Sequence, residues 1–178
     1  MREGSPRIAS ALNEALKSGI LVFASASNVG ANDRITFPAN IHGVFCIGSA
    51  DSYGNRSPFS PPFEGEEKYS ALGEAVSAAC PAGLSQKPGY DRAKQTIRRD
   101  GTSTATAITA GIAALLIDFT RQLGKRADTY ENMRKLFIGM SEATVGKDYR
   151  YLALSYLFEP GKDARAFIKR VISHPAGT

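Results

Sequence analysis

The chain is poor in the residues that build metal centres and covalent cross-links. It has two cysteines and two histidines in 178 residues. Cys46 and Cys80 each lie in an apolar stretch, with no CxxC and no Cys/His cluster around them. Such isolated cysteines read as buried free thiols; a disulfide is possible but nothing implies it. His42 and His174 stand far from any ligand-like spacing, so neither a zinc site nor another metal or cofactor site is expected. No run of apolar residues approaches the ~18–20 needed to cross a bilayer. The opening "MREGSPRIAS" is charged and lacks the apolar centre of a signal peptide. Neither membrane insertion nor secretion therefore has support in these residues, and no compartment is assigned.

What is present suits a globular domain, or part of a larger one. Hydrophobic residues make up 43% and charged residues 22%, with a net charge of +5. Much of the basic excess falls late, at Arg150, Lys162, Arg165, Lys169 and Arg170. No aromatic-rich basic motif accompanies it, so it reads as the solvated face of a C-terminal helix rather than a nucleic-acid site.

The first segment has the pattern of a helix. Ser5 is a suitable N-cap and Pro6 fits the first helical position. Ile8, Leu12 and Leu16 recur every four residues beside Ala11 and Ala15, and Gly19 closes the turn. "ILVFASAS" (20–27) then reads as a strand covered on both faces of a parallel sheet, and "VFCIGSA" (44–50) as a second. Residues 56–100 hold five prolines and read as a long irregular stretch, with only "EAVSAAC" (74–80) resembling a short strand. A helix follows from about Thr102 or Ser103 to Leu123; its centre "AITAGIAALLIDF" is apolar on nearly all sides, as in a helix central to its domain. Asp128 and Glu131 fit a capping box for a further helix with the face Tyr130, Met133, Phe137 and Met140. A last helix spans about Asp163 to Ser173, ended by Pro175. No internal repeat is evident. Helices alternating with buried strands predict an α/β fold.

Two positions could carry chemistry. Asn28 lies where the first apolar strand stops, the end of an α/β sheet at which ligands collect, and its amide can donate two uncharged hydrogen bonds. Ser103 would stand at the start of the apolar helix, where free N–H groups and the helix dipole favour developing negative charge. The plainer alternatives are a turn asparagine and a helix cap at Thr102 or Ser103.

Taken together, these segments resemble the subtilisin-like serine proteases (subtilases). "DGTSTATAITAGIAAL" is similar to the family's nucleophile segment. The helix, Gly19, the apolar strand and Asn28-Val29-Gly30 precede it in the family's order, as do "FPAN", "GVFCIGSAD", "SPFSP" and "AACPAG". The resemblance covers residues 5–123; 143–178 is a family-unlike tail. It implies a three-layer α/β fold with a mostly parallel central sheet, incomplete at its N-terminal side, all within a single partial domain over 1–178. It further implies a polypeptide substrate, Ser103 as nucleophile, Asn28 in the oxyanion hole, and Ala26, Ser27 and Thr102 lining the substrate site.

There are departures. Ser27 stands where the family usually has Gly, and Ala107 and Ile108 where it often has Pro and His. More consequentially, a serine nucleophile needs a base and the base an orienting carboxylate. In subtilases both precede the oxyanion asparagine, yet no Asp or His occurs before Asn28. His42 follows "FPAN" where the family carries a structural segment. The expectation is a serine endopeptidase inactive in isolation, its base and carboxylate supplied by a missing N-terminal segment. The alternatives are a non-catalytic pseudoprotease or peptide-binding module, and an unrelated α/β structural protein.

Overall fold

The computed structural model describes residues 5–30, 34–62, 68–81, 83, 87–142 and 149–173. Its frame is a five-stranded sheet with helices on both faces. β1 (Val22–Ser25), β2 (Val44–Ala50) and β3 (Lys68–Leu72) run parallel, followed by β8 (Arg150–Leu152), parallel to β3, and β7 (Ser141–Glu142), antiparallel to β8. A separate antiparallel sheet has the order β4 (Val76–Ala79), β6 (Thr96–Arg99), β5 (Tyr90–Asp91).

Alternation along β2 explains the three layers, because successive side chains leave opposite faces of a strand. Phe45 and Ile47 join Tyr69 and Ala71 under α2 (Thr102–Gln122) and α3 (Tyr130–Met140). Val44 and Cys46 join Ala24 and Ala26 on the other face, where Leu12 and Leu16 of α1 (Pro6–Lys17) pack. All seven residues of β2 are buried, as flanking strands and both covering layers require. Phe45, Tyr69 and Phe137 meet as an aromatic cluster with centroids 5.2–6.0 Å apart. Each such side chain contributes about 1.5–3 kcal/mol on full burial.

The α/β architecture agrees with the sequence pattern; several local readings do not. β1 is shorter than residues 20–27 and is an edge strand, with only Ala24 buried among its four residues. α1 forms where predicted, but none of its residues is fully buried and Ile8 is exposed. The segment 56–100, expected to be irregular, supplies β3 to the main sheet and the whole of the second sheet. α2 is not buried all round. Thr102, Ala105, Thr109, Ile112, Ala113, Leu116 and Thr120 face the core, while Ser103, Ala107, Gly111, Ala114, Leu115 and Asp118 form an exposed stripe. By length and composition α2 could also cross a bilayer, contrary to the sequence expectation, because its Thr, Ser and Gly interrupt an apolar run without lowering its average much; here it packs on β1, β2 and β3.

Downstream, the cap of α3 is Thr129, whose side chain accepts from the Asn132 N–H; Asp128 instead pairs with Arg126. Asp163 caps α5 (Ala164–Ser173) through the Ala166 N–H, and α5 packs on α3 and on α4 (Ser155–Phe158). The tail region is thus tied to the main sheet through β8. His174 and Pro175 lie outside the described residues.

Candidate functional site

The site forms at the carboxyl ends of β1, β2 and β3, where parallel strands leave a crevice. The backbone builds it in steps. The Ala26 N–H donates to Ile47 O (2.9 Å), fixing the exit from β1 against β2. The Gly73 N–H, just beyond β3, donates to Ala50 O at the end of β2 (2.9 Å). Gly73 O in turn accepts from the Gly101 N–H (2.8 Å), so the loop entering α2 hangs from the ends of both strands.

Gly73 leaves no space for a side chain. A Cβ there would stand 2.3 Å from Ser49 Oγ and 2.8 Å from Gly101 O. Ser49 is itself fixed: its Oγ lies 2.7 Å from Ser57 Oγ, and its N–H donates to Ser60 Oγ (3.1 Å). All three serines are fully buried. A second tie comes from Asp100, whose Oδ1 accepts from the Ala75 N–H (2.6 Å). The pattern along 68–80 had not marked Gly73 as a site residue; the signal was an isolated glycine between two strand-like runs.

Gly101, not Thr102 or Ser103, is the N-cap of α2, and it adopts φ 148°, a conformation glycine accepts readily. Gly101 supplies no side-chain cap of its own. Thr102 turns away instead: its N–H and its Oγ1 both donate to Asn28 Oδ1, each at 2.9 Å. With the amide oxygen held twice, Asn28 Nδ2 remains as the donor, and it lies 3.3 Å from where a Gly101 Cβ would stand. Thr102 is buried, whereas Asn28 and Ser103 are exposed. Ser103 thus stands in the first turn of α2, beside the residue that grips Asn28. Among the described residues its hydroxyl has no hydrogen-bond partner.

The approach to Asn28 is strained. Ser27 has φ 125°, a region that L residues adopt at a cost of order 1–3 kcal/mol. Ser27 is half-buried; Ala26 is fully buried, so any part it plays in a pocket comes through its main chain. Beyond Asn28, the Gly30 N–H donates to Phe59 O (2.8 Å), closing the turn against the 57–60 loop.

His42 is not near this loop. It precedes β2, its ring 6.4 Å from that of Tyr130, while Gly101 is tied to the far end of the strand. Seven residues of extended chain separate the two ends by roughly 20 Å. Both cysteines are buried and free. Burial pushes the Cys46 thiol up to about 12, against a smaller lowering by Lys68. Among the described residues no group of His, Cys, Asp and Glu could hold a metal.

The subtilase family model matches residues 1–151. The chain is 34% identical to alkaline elastase YaB of Bacillus sp. (strain YaB) over 113 residues, covering 64% of this chain and 26% of that protein. It is 32% identical to subtilisin DY of Bacillus licheniformis over 117 residues, covering 64% and 38%. Among solved structures, the prenylagaramide maturation protease PagA superposes with TM-score 0.70 at 22% identity, over 97% of this chain and 57% of that one. The PatG macrocyclase in complex with peptide superposes with TM-score 0.67 at 20% identity, over 96% and 49%. The chain thus spans about a quarter to two fifths of these curated relatives and about half of these solved ones. On the family match over most of its length, the chain belongs to the subtilase family.

Proposed function

We propose that this chain is the nucleophile-bearing part of a serine endopeptidase domain, cleaving polypeptides through an acyl-enzyme. Ser103 attacks the scissile carbonyl. Asn28 Nδ2 and the Ser103 N–H donate to the oxygen as it becomes negative, the kind of preorganised stabilisation that dominates acyl transfer. Ala26, Ser27 and Thr102 border the substrate, Thr102 by orienting Asn28. The observation that carries this reading is the double hydrogen bond from Thr102 to Asn28 Oδ1, which leaves one amide donor beside the start of the helix that presents Ser103.

Deprotonating Ser103 requires a base, and the geometry of His42 argues against it in that role. The partner we propose is an N-terminal segment of the same domain that brings an Asp and a His. The outer edge of β1, which no strand among the described residues pairs with, and the exposed stripe Ala107, Gly111, Ala114 and Leu115 on α2 support it, since both are surfaces that a continuing sheet would cover. On this reading 1–178 is a single partial domain.

A serine-directed fluorophosphonate probe tests the proposal. Ser103 should stay unlabelled in this chain alone and become labelled when an upstream subtilase segment carrying the Asp and His is joined to it. Strong labelling of the isolated chain would overturn the claim that the base is missing. No labelling after fusion would favour the second reading, a non-catalytic peptide-binding module.

A further inference from the structure

The second sheet carries charge that no carboxylate among the described residues pairs with. Between Lys87 and Arg99 stand Lys87, Arg92, Lys94, Arg98 and Arg99, all exposed, and none forms an ion pair among the described residues. Asp91 within this stretch and Asp100 just after it are turned onto the backbone. Asp91 Oδ1 accepts from the N–H groups of Ala93 and Lys94 (3.0 and 3.2 Å), and Asp100 Oδ1 accepts from that of Ala75.

Arg98 and Arg99 are also held in place. They end β6, the middle strand of its sheet, opposite Ser77 and Val76 of β4. The Arg98 N–H donates to Gly89 O on the other side. Arg98 and the Ser77 opposite it are both exposed. β6 leads directly into the Gly101 turn. A chain of four residues spans at most ~14 Å, so Arg99 stands within that distance of Ser103.

We infer that this basic sheet is a specificity surface, and that it selects polypeptide substrates bearing Asp or Glu within about four residues of the bond presented to Ser103. The inference deepens the proteolytic reading above and rests on it. Fixed, unneutralised charges beside a binding cleft raise the local concentration of oppositely charged ligand and discriminate among ligands more than they strengthen binding overall. Arg98 and Arg99 leave opposite faces of β6, and a peptide in extended conformation advances about 3.3 Å per residue, so an acidic side chain at that range meets one guanidinium or the other according to the face on which it lies.

The test is equilibrium binding to the full chain carrying Ser103→Ala, followed by fluorescence anisotropy. The ligands are two labelled twelve-residue peptides, one with four Glu around its centre and one with Gln at those positions. The Glu peptide should bind at least tenfold more tightly at 20 mM salt, and the preference should fall towards unity at 500 mM. Arg98→Gln/Arg99→Gln should remove the preference and leave binding of the Gln peptide within twofold. If that variant melts early, the salt series on the unsubstituted surface decides alone. Equal binding of both peptides, or no binding of the Glu peptide at millimolar concentration, overturns the inference. So does a twelve-nucleotide single strand that binds more tightly than the Glu peptide and loses binding with the same substitutions. The binding readout needs no chemistry at Ser103. An acidic preference, together with a Ser103 that stays unlabelled even after the upstream segment is joined, would therefore sink the protease reading and spare the surface.

Discussion

Asn28 Oδ1 accepts two hydrogen bonds from Thr102, one from its N–H and one from its hydroxyl, both at 2.9 Å. The two residues stand 74 positions apart in the chain. This contact joins the end of an edge strand to the first turn of α2 and fixes which end of the amide faces outward.

Thr102→Val removes the hydroxyl donor at nearly constant volume. It should destabilise the chain by about 1 kcal/mol, read by urea unfolding. In a form completed with the Asp and His, Asn28→Ala should lower kcat by ~10²–10³, the cost of losing the corresponding donor in subtilisin. Thr102→Val should lower kcat less, with KM nearly unchanged. An unaltered kcat in Asn28→Ala would remove that residue from the oxyanion hole.

Gly73→Ala forces a Cβ to within 2.3 Å of a hydroxyl that has no room to retreat, because Ser49 is held by Ser57 and Ser60. Overpacking of this kind costs about 1–3 kcal/mol. The variant should unfold at correspondingly lower urea, and in combination with Ser49→Ala part of the loss should return.

Ser27→Gly should stabilise the chain by about 1 kcal/mol, because glycine relieves the strain at φ 125°. A thermal melt that moves downward would show that the serine side chain contributes something the backbone angle does not reveal.

The Cys46 thiol, held near 12 in the folded chain, ionises near 9.0 once unfolded. The unfolded state therefore loses its proton first. The contribution of this group to stability is complete below about pH 9 and is lost as pH rises towards 12. Unfolding free energies measured across pH 8–11 should fall more steeply for the natural chain than for Cys46→Ala. At pH 8 a thiol reagent should reach Cys46 only on unfolding.

Leu115 lies on the exposed stripe of α2 at 42% exposure. Leu115→Glu should leave the stability of this chain within ~0.5 kcal/mol, as surface changes do. It should weaken association with an added upstream segment, measured by co-elution, if that segment covers the stripe.

Local pattern was enough for much of this molecule. The four-residue spacing in α1, the unbroken apolar run of β2 and the small residues of α2 each specify an element through interactions within a few residues. The ordered motifs from Asn28 to Gly101-Thr102-Ser103 carried the family, which the match over residues 1–151 shows. Other features depended on partners remote in the chain. β3 is hidden among prolines and charges because its burial comes from β2 and β8 rather than from its own alternation. β1 looked doubly covered, yet it is an edge whose exposure depends on which strands lie beside it.

"Gly-Thr-Ser" illustrates the division most closely. From sequence, a threonine or serine before an apolar helix is a cap, because the hydroxyl can satisfy a nearby N–H. In the fold Gly101 takes the cap position, and the Thr102 hydroxyl bonds Asn28 instead. Short-range chemistry could name the helix and its first residues. Only long-range packing, which hangs Gly101 from Gly73 and brings the end of β1 alongside, could decide what those residues hold.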